Sequence, residues 1–303
     1  MRYCLALFGV GVPATLLLQK RLGVAAGILA FVTWLLLIFG STVRVHGAGL
    51  ACPDWPLCFG QVIPQFDFSV FLEWGHRALA SVVSAIYLVI GGIILSRREL
   101  RGRYWPHLAL IAAVLACQIV LGGLTVTRLL AFWSVTLHLL FGNLFMALII
   151  ALAVRLRGAE SWAGAPARLL PVAALFAGGV GVQLALGGLV SSNYAGLACT
   201  EWPTCLNGEW FPNFGFPMGF QLIHRLGGYA LFALALGLFW VSRGTAAAGT
   251  ARFLLLLVLA QIALGVATVL ARMPVELAIA HAAAAHALVA TSAVLVARLW
   301  SAS

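Results

Sequence analysis

The chain has 303 residues, of which 63% are hydrophobic and 9% are charged, and its formal net charge is +10. This composition excludes a soluble globular domain, in which roughly a quarter of the residues are charged. The positive charge does not indicate a nucleic-acid partner, because most Lys and Arg residues gather on one side of the predicted membrane spans.

Eight segments are apolar over about 20 residues, the length that a helix needs to cross a hydrocarbon core. They lie at residues 23–43, 70–95, 106–127, 131–154, 169–190, 218–241, 252–271 and 275–297. The side rich in Lys and Arg should be cytoplasmic, so we expect a cell-membrane protein with both termini inside and two cysteine-containing loops on the outer face. Residues 1–22 lack the charge order and cleavage site of a signal peptide, and we expect a short or interfacial N-terminal extension there.

The two halves of the chain repeat each other. The segment FGSTVRVHGAGLACPDWPLC at Phe39–Cys58 returns as LGGLVSSNYAGLACTEWPTC at Leu186–Cys205. Each copy contains four spans, an even number, so both copies have the same orientation in the membrane. We therefore predict an all-α polytopic membrane protein whose eight transmembrane helices form two parallel-repeat four-helix bundles. The predicted N-terminal unit covers residues 23–156, the C-terminal unit covers residues 168–303, and residues 157–167 form a cytoplasmic linker.

Four histidines occupy equivalent positions in the two copies. His76 and His138 begin the second and fourth spans of the first unit, and His224 and His281 begin the corresponding spans of the second. Ionisable side chains inside spans are costly and usually functional. Two imidazoles at the same depth of one bundle can bind a haem iron from both faces, so we expect two non-covalent haem sites. Hydrogen bonding between helices and another metal are the alternatives.

The remaining histidines of the spans are not expected to bind haem. His286 lies five positions after His281, which turns it away from the same helix face, and its counterpart in the first unit is Asn143. We expect His286 to face a neighbouring helix. His46 and His107 lie at the ends of spans and should be interfacial.

Glu73 breaks the symmetry of the two copies. It precedes His76 by three residues, so the two share a helix face, and its counterpart is the non-ionisable Gln221. We expect Glu73 to be catalytic or to orient a substrate, with an ion pair to Arg77 as the alternative. Arg77 and Arg225 each follow a candidate ligand directly, and they would either contact haem propionates or reach the lipid head groups.

Two cysteine pairs frame the outer loops. Cys52 and Cys58 bound the sequence CPDWPLC, and Cys199 and Cys205 bound CTEWPTC. An oxidising outer compartment allows a disulfide within each loop. A shared Cys4 zinc site is the alternative, although the spacing differs from that of zinc motifs. The disulfide near Glu73 could also exchange with a thioredoxin-like partner.

This combination of features resembles the haem A synthase family over about residues 23–300. The shared pattern is an outer-loop cysteine pair with Trp-Pro, the sequence EWGHR at Glu73–Arg77 on the second span, and a histidine on spans four, six and eight. The resemblance implies an oxidoreductase that converts the C8 methyl group of haem O to a formyl group by successive hydroxylations. The product is haem A for cytochrome oxidase.

The resemblance also implies roles for individual residues. It assigns His224 and His281 to a resident haem b, and His76 and His138 to the iron of the substrate haem O. It makes Glu73 the essential acidic residue and Cys52–Cys58 the outer-loop disulfide. The implied partners are haem O, an electron acceptor such as a quinone or a redox protein, and a haem O synthase as supplier.

A di-haem b-type membrane cytochrome that takes electrons from quinol is the alternative function. It explains four histidines equally well. It does not explain a carboxylate in one half only, nor ligands that all lie near one face of the membrane. A transporter fits less well, because the repeats are parallel and no predicted span is broken.

Overall fold

The computed structural model describes residues 14–65, 67–158, 162 and 166–301. Within these residues lie eight α-helices, each long and apolar enough to cross a membrane, and no β-strand. The all-α polytopic prediction is therefore confirmed. The helices are α1 (Ala14–Val45), α2 (Phe68–Ser96), α3 (Arg98–Thr127), α4 (Phe132–Arg157), α5 (Leu169–Ser192), α6 (Met218–Ser242), α7 (Ala248–Leu270) and α8 (Val275–Trp300).

The first helix starts earlier than the sequence predicted. It begins at Ala14, so residues 14–22 of the expected extension are helical, whereas residues 1–13 lie outside the described part of the chain. Lys20 and Arg21 end the apolar run but are exposed, which lets their charged ends reach the head groups without ending the helix. Gln19 donates to the Tyr104 hydroxyl at 3.2 Å and so attaches this segment to α3.

The third helix also differs from its predicted bounds. It begins at Arg98 rather than at residue 106, and Pro106 lies inside it. Proline removes one backbone donor from a helix, which is why the sequence predicted a boundary there. The preceding turns carry exposed arginines on one side and the buried Leu100 and Tyr104 on the other, so they continue the helix at the membrane surface.

Within each half, consecutive helices pack together and the first packs against the fourth. The core of α1–α4 contains fully buried aliphatic side chains such as Ile94, Ile111 and Ile149. The core of α5–α8 is built in the same way around Leu238 and Leu254. The halves meet where α4 contacts α5 and α8, and where α1 contacts α8. These contacts favour the two-bundle arrangement, which stays a prediction.

Candidate functional site

The histidines that the repeat selected face each other in two pairs. The ring centroids of His76 and His138 are 6.5 Å apart with an angle of 74° between the rings. Those of His224 and His281 are 6.4 Å apart with an angle of 78°. In each half the pair joins the second helix to the fourth, as the sequence predicted.

The spacing of each pair fits one metal ion between two imidazoles. Nitrogens about 2 Å from a shared ion, on opposite sides of it, place the ring centroids roughly 6 Å apart. Nδ1 of His76, His138 and His281 is buried without a hydrogen-bond partner. The described residues contain no group of three or more His, Cys, Asp or Glu side chains arranged around a metal. Two imidazoles that face each other suit a macrocycle, which would supply the remaining nitrogens itself.

Each of the four histidine rings packs against a glycine of the preceding helix. A methyl group built on that glycine would meet the ring atom Cε1 at 2.9 Å for Gly40 and His76, 3.2 Å for Gly122 and His138, 3.1 Å for Gly187 and His224, and 3.0 Å for Gly265 and His281. Carbon atoms normally approach no closer than about 3.5 Å. These four glycines, which we call the glycine seats, therefore set the position of the rings. Sequence reasoning singled out none of the four as a site residue, although the repeat aligns Gly40 with Gly187 and Gly122 with Gly265.

Glutamine side chains lie beside three of the histidines. Nε2 of Gln118 is 3.4 Å from His138 Nε2, and Nε2 of Gln261 is 3.3 Å from His281 Nε2. These two contacts are equivalent in the repeat. Gln183 has no such equivalent: its Nε2 is 3.1 Å from His224 Nδ1, whereas the matching position in the first half is Leu36. The surroundings of the two pairs therefore differ in the polar groups around the rings.

Glu73 connects α2 to the loop that contains Cys52 and Cys58. The residue is 5% exposed, its Oε1 accepts from Arg77 Nη2 at 2.5 Å, and its Oε2 accepts from the Cys52 N–H at 2.8 Å. The ion pair that the spacing allowed is thus present. Gln221 is equally buried but donates from Nε2 to the Gly196 carbonyl at 3.1 Å. The two halves therefore place a carboxylate and an amide at equivalent depths.

Both arginines beside the candidate ligands bind the loops that contain the cysteine pairs. Arg77 donates to the carbonyls of Asp54 at 2.8 Å and Leu57 at 2.6 Å. Arg225 donates to the carbonyls of Thr204 at 2.9 Å and Cys199 at 3.0 Å. Each guanidinium thus attaches the backbone of its loop to the helix that carries His76 or His224. Contact with haem propionates stays a prediction for both residues.

The two loops are closed by disulfides and by hydrogen bonds to the acidic side chains of Asp54 and Glu201. Cys52 is bonded to Cys58 and Cys199 to Cys205, so neither pair offers thiolates to a shared zinc ion. In the first loop, backbone N–H groups of Gly60 and Phe59 donate to the Asp54 carboxylate and lower its pKa.

Glu201 has the same role in the second loop. The N–H of Gly208 donates to it at 2.9 Å and the Thr204 hydroxyl donates at 2.9 Å, and these bonds lower the pKa of its carboxyl group. The two loops thus have the same construction, although Glu73 contacts only the first.

The other histidines lie outside the two pairs. His46 is exposed and its Nδ1 contacts the Thr42 carbonyl at 2.9 Å, while His107 Nε2 contacts the Leu148 carbonyl at 3.0 Å. His286 faces the neighbouring helix α4, as predicted, and its Nδ1 is 3.0 Å from Asn143 Oδ1. None of the three faces a second histidine among the described contacts.

Comparison with known proteins identifies the family to which the chain belongs. The COX15-CtaA family model, described as cytochrome oxidase assembly protein, matches residues 24–68 and 63–293. A Heme A synthase of Shewanella oneidensis is 28% identical, with 88% of this chain and 93% of that protein covered. A Heme A synthase of Shouchella clausii is 32% identical, covering 83% of this chain and 86% of that protein. The chain therefore belongs to the COX15-CtaA family of cytochrome oxidase assembly proteins.

Proposed function

We propose that the protein is a haem A synthase that oxidises the C8 methyl group of haem O to a formyl group. The observation that carries the proposal is the pair of matched histidine sites, of which only one has a buried carboxylate three residues before a histidine on the same helix. Relatives named Heme A synthase share about 28–32% of their residues with the chain over most of its length. A di-haem cytochrome would need no such difference between its two sites.

In this proposal the C-terminal pair, His224 and His281, holds haem b, and the N-terminal pair, His76 and His138, holds the iron of the substrate haem O. Haem b, when bound, supplies a one-electron redox centre within the bundle. The glycine seats and the glutamines hold the four rings in place. Arg77 and Arg225 attach the two disulfide-closed loops to the helices that carry His76 and His224.

The reaction is two successive two-electron oxidations of the substrate. In each oxidation the carbon loses a hydrogen, gains a hydroxyl group whose oxygen comes from water, and releases two electrons and two protons. The first oxidation gives an alcohol, and the second gives a hydrate that loses water to form the aldehyde. The electrons leave to a quinone or a redox protein. Glu73 accepts the proton released from the methyl carbon or stabilises positive charge there. Its two bonds to Arg77 and the Cys52 N–H hold the carboxylate in one orientation, and each oxygen still has a lone pair for this role.

The membrane placement follows from the charge pattern. We infer that the protein lies in the cell membrane with both termini in the cytoplasm and both disulfide loops on the outer face. Haem O would then be supplied within the membrane by a haem O synthase. A thioredoxin-like protein on the outer side would be able to reduce Cys52–Cys58, which contacts Glu73 through the Cys52 N–H.

The substitution Glu73→Gln tests this function. The second half already carries glutamine at this position in the same fold, so we expect the variant to fold and to keep its haem. Haem A formation should stop, because an amide cannot take up the proton. Glu276→Gln, which changes an exposed carboxylate at the start of α8, is the matched control and should leave haem A formation unchanged. Full haem A production by Glu73→Gln would contradict the role of this carboxylate.

A further inference from the structure

A buried polar cluster lies between the two halves, outside both histidine pairs. His286 on α8 is 1% exposed and Asn143 on α4 is 2% exposed. His286 Nδ1 donates to Asn143 Oδ1 at 3.0 Å, and Asn143 Nδ2 donates to the Leu139 carbonyl at 2.9 Å. On the other side of the ring, Nε2 is 3.3 Å from Ser41 Oγ on α1. Because the Ser41 hydroxyl donates to the Leu37 carbonyl at 3.0 Å, His286 Nδ1 makes the hydrogen bond between the halves, and Nε2 has Ser41 Oγ as a polar neighbour.

Asn143 and His286, the two ends of this hydrogen bond, occupy equivalent positions in the two copies of the repeat. The offset of 143 residues that relates His138 to His281 also relates Asn143 to His286. When equivalent positions of two parallel repeats touch each other, their contact lies on the axis that relates the repeats. The hydrogen bond between Asn143 and His286 thus crosses the contact between α4 and α8 at its centre.

The same two helices carry one histidine of each site. His138 and His281 each lie five residues before the cluster on their own helix, a rise of about 7.5 Å. A slide of α4 along α8 would move the two histidines relative to each other. It would also leave the imidazole and the amide without partners in an apolar interior, where unpaired polar groups are costly. The cluster therefore opposes such a slide more strongly than aliphatic packing would.

We propose that Asn143 and His286 form a positioning pair that sets the register of α4 against α8, and with it the separation of the two histidine sites. The consequence for catalysis rests on the proposed function, since electron exchange between two haems depends steeply on their separation. Ser41 supports the pair from one side only, because its counterpart in the repeat is Gly188, which has no hydroxyl group.

Distances between spin labels test the register without any bound haem. The labels are placed at Leu129→Cys and Arg272→Cys, equivalent exposed positions just before α4 and α8. The two cysteines outside the disulfides, Cys4 and Cys117, are replaced by alanine in this background. Pulsed electron paramagnetic resonance of the full-length protein in nanodiscs then gives the distance distribution between the labels.

Replacing either member by leucine should shift or broaden this distribution by ~1.5 Å or more, the rise of one helical residue. The exchanged variant, with both Asn143→His and His286→Asn, should restore the narrow distribution, since the same hydrogen bond forms in the opposite direction. Two control substitutions leave Asn143 and His286 unchanged and do not remove any of their contacts. Ser292→Ala removes a buried hydroxyl that bonds only within α8, and Leu254→Ala destabilises the α7 core. Both should keep the native distribution.

A native distribution in both leucine variants would overturn the proposal, and so would failure of the exchanged variant to restore it. Haem content and haem A formation are measured on the same samples. All variants should keep the haem content of the original protein, while the leucine variants lose haem A formation and the exchanged variant regains it. Absence of haem from the original protein would contradict the proposed function instead, and the label distances would still decide the register.

Discussion

Replacing a glycine seat by alanine should weaken one haem site selectively. The strongest case is Gly40→Ala, because its new methyl group would lie 2.9 Å from Cε1 of His76. A normal contact of about 3.5 Å or more requires the ring to move by roughly 0.6 Å. Metal–ligand distances in working sites vary by only about 0.2 Å, so the shifted ring cannot keep a normal bond to iron. Changes in groups that orient a metal ligand typically cost about 10–100-fold in affinity, and we expect a loss in that range.

The four seats also predict an order of effects. The distances rise from 2.9 Å at Gly40 through 3.0 Å at Gly265 and 3.1 Å at Gly187 to 3.2 Å at Gly122. The loss of haem affinity should fall in the same order. Gly40 and Gly122 should affect the proposed substrate site, and Gly187 and Gly265 the proposed haem b site.

Haem titration of the purified apoprotein, followed by its absorption spectrum, measures this effect. The matched control is Gly27→Ala on the same helix, because a methyl group there meets nothing within 4 Å. It should bind haem like the original protein. Equal affinities for Gly40→Ala and Gly27→Ala would refute the argument that the glycine positions the ring.

Three further predictions concern the second site and the first outer loop. His281→Leu should remove one equivalent of bound haem, measured by the pyridine haemochrome assay, whereas His286→Leu should leave the haem content unchanged because His286 faces Asn143. Reduction of Cys52–Cys58 should slow haem A formation in proteoliposomes, since the Cys52 N–H orients Glu73; an unchanged rate after complete reduction would oppose this link. Folding lowers the pKa of Asp54 from 3.8, so its bonds stabilise the loop above that pH and are lost as the pH falls through the lowered value. Proteolysis of the loop at decreasing pH should show this loss, and Asp54→Asn should remove the pH dependence.

The helices and the histidine pairs could be predicted because the repeat constrains both. Apolar length is sufficient to find spans, and alignment of the copies separates His281 from His286. Apolar length does not locate helix ends, since exposed residues such as Lys20 and Arg21 continue a helix beyond the hydrocarbon core. The early starts of α1 and α3 therefore escaped the prediction.

Contacts between distant segments were less accessible to sequence reasoning. The spacing of Glu73 and Arg77 allowed an ion pair, but the bond from the Cys52 N–H depends on the path of the loop closed by its disulfide. The repeat aligned Asn143 with His286 without indicating that they touch. That contact depends on where the axis between the halves passes, which only the packing of α4 against α8 decides.

The most direct test of the central claim is the identity of the pigments bound to the purified protein. Extraction, chromatography and mass measurement distinguish haem b, haem O, its hydroxylated form and haem A. Two unequal sites predict haem b together with haem O, the hydroxylated intermediate or haem A. Two equivalents of haem b alone would contradict the synthase and favour a di-haem cytochrome.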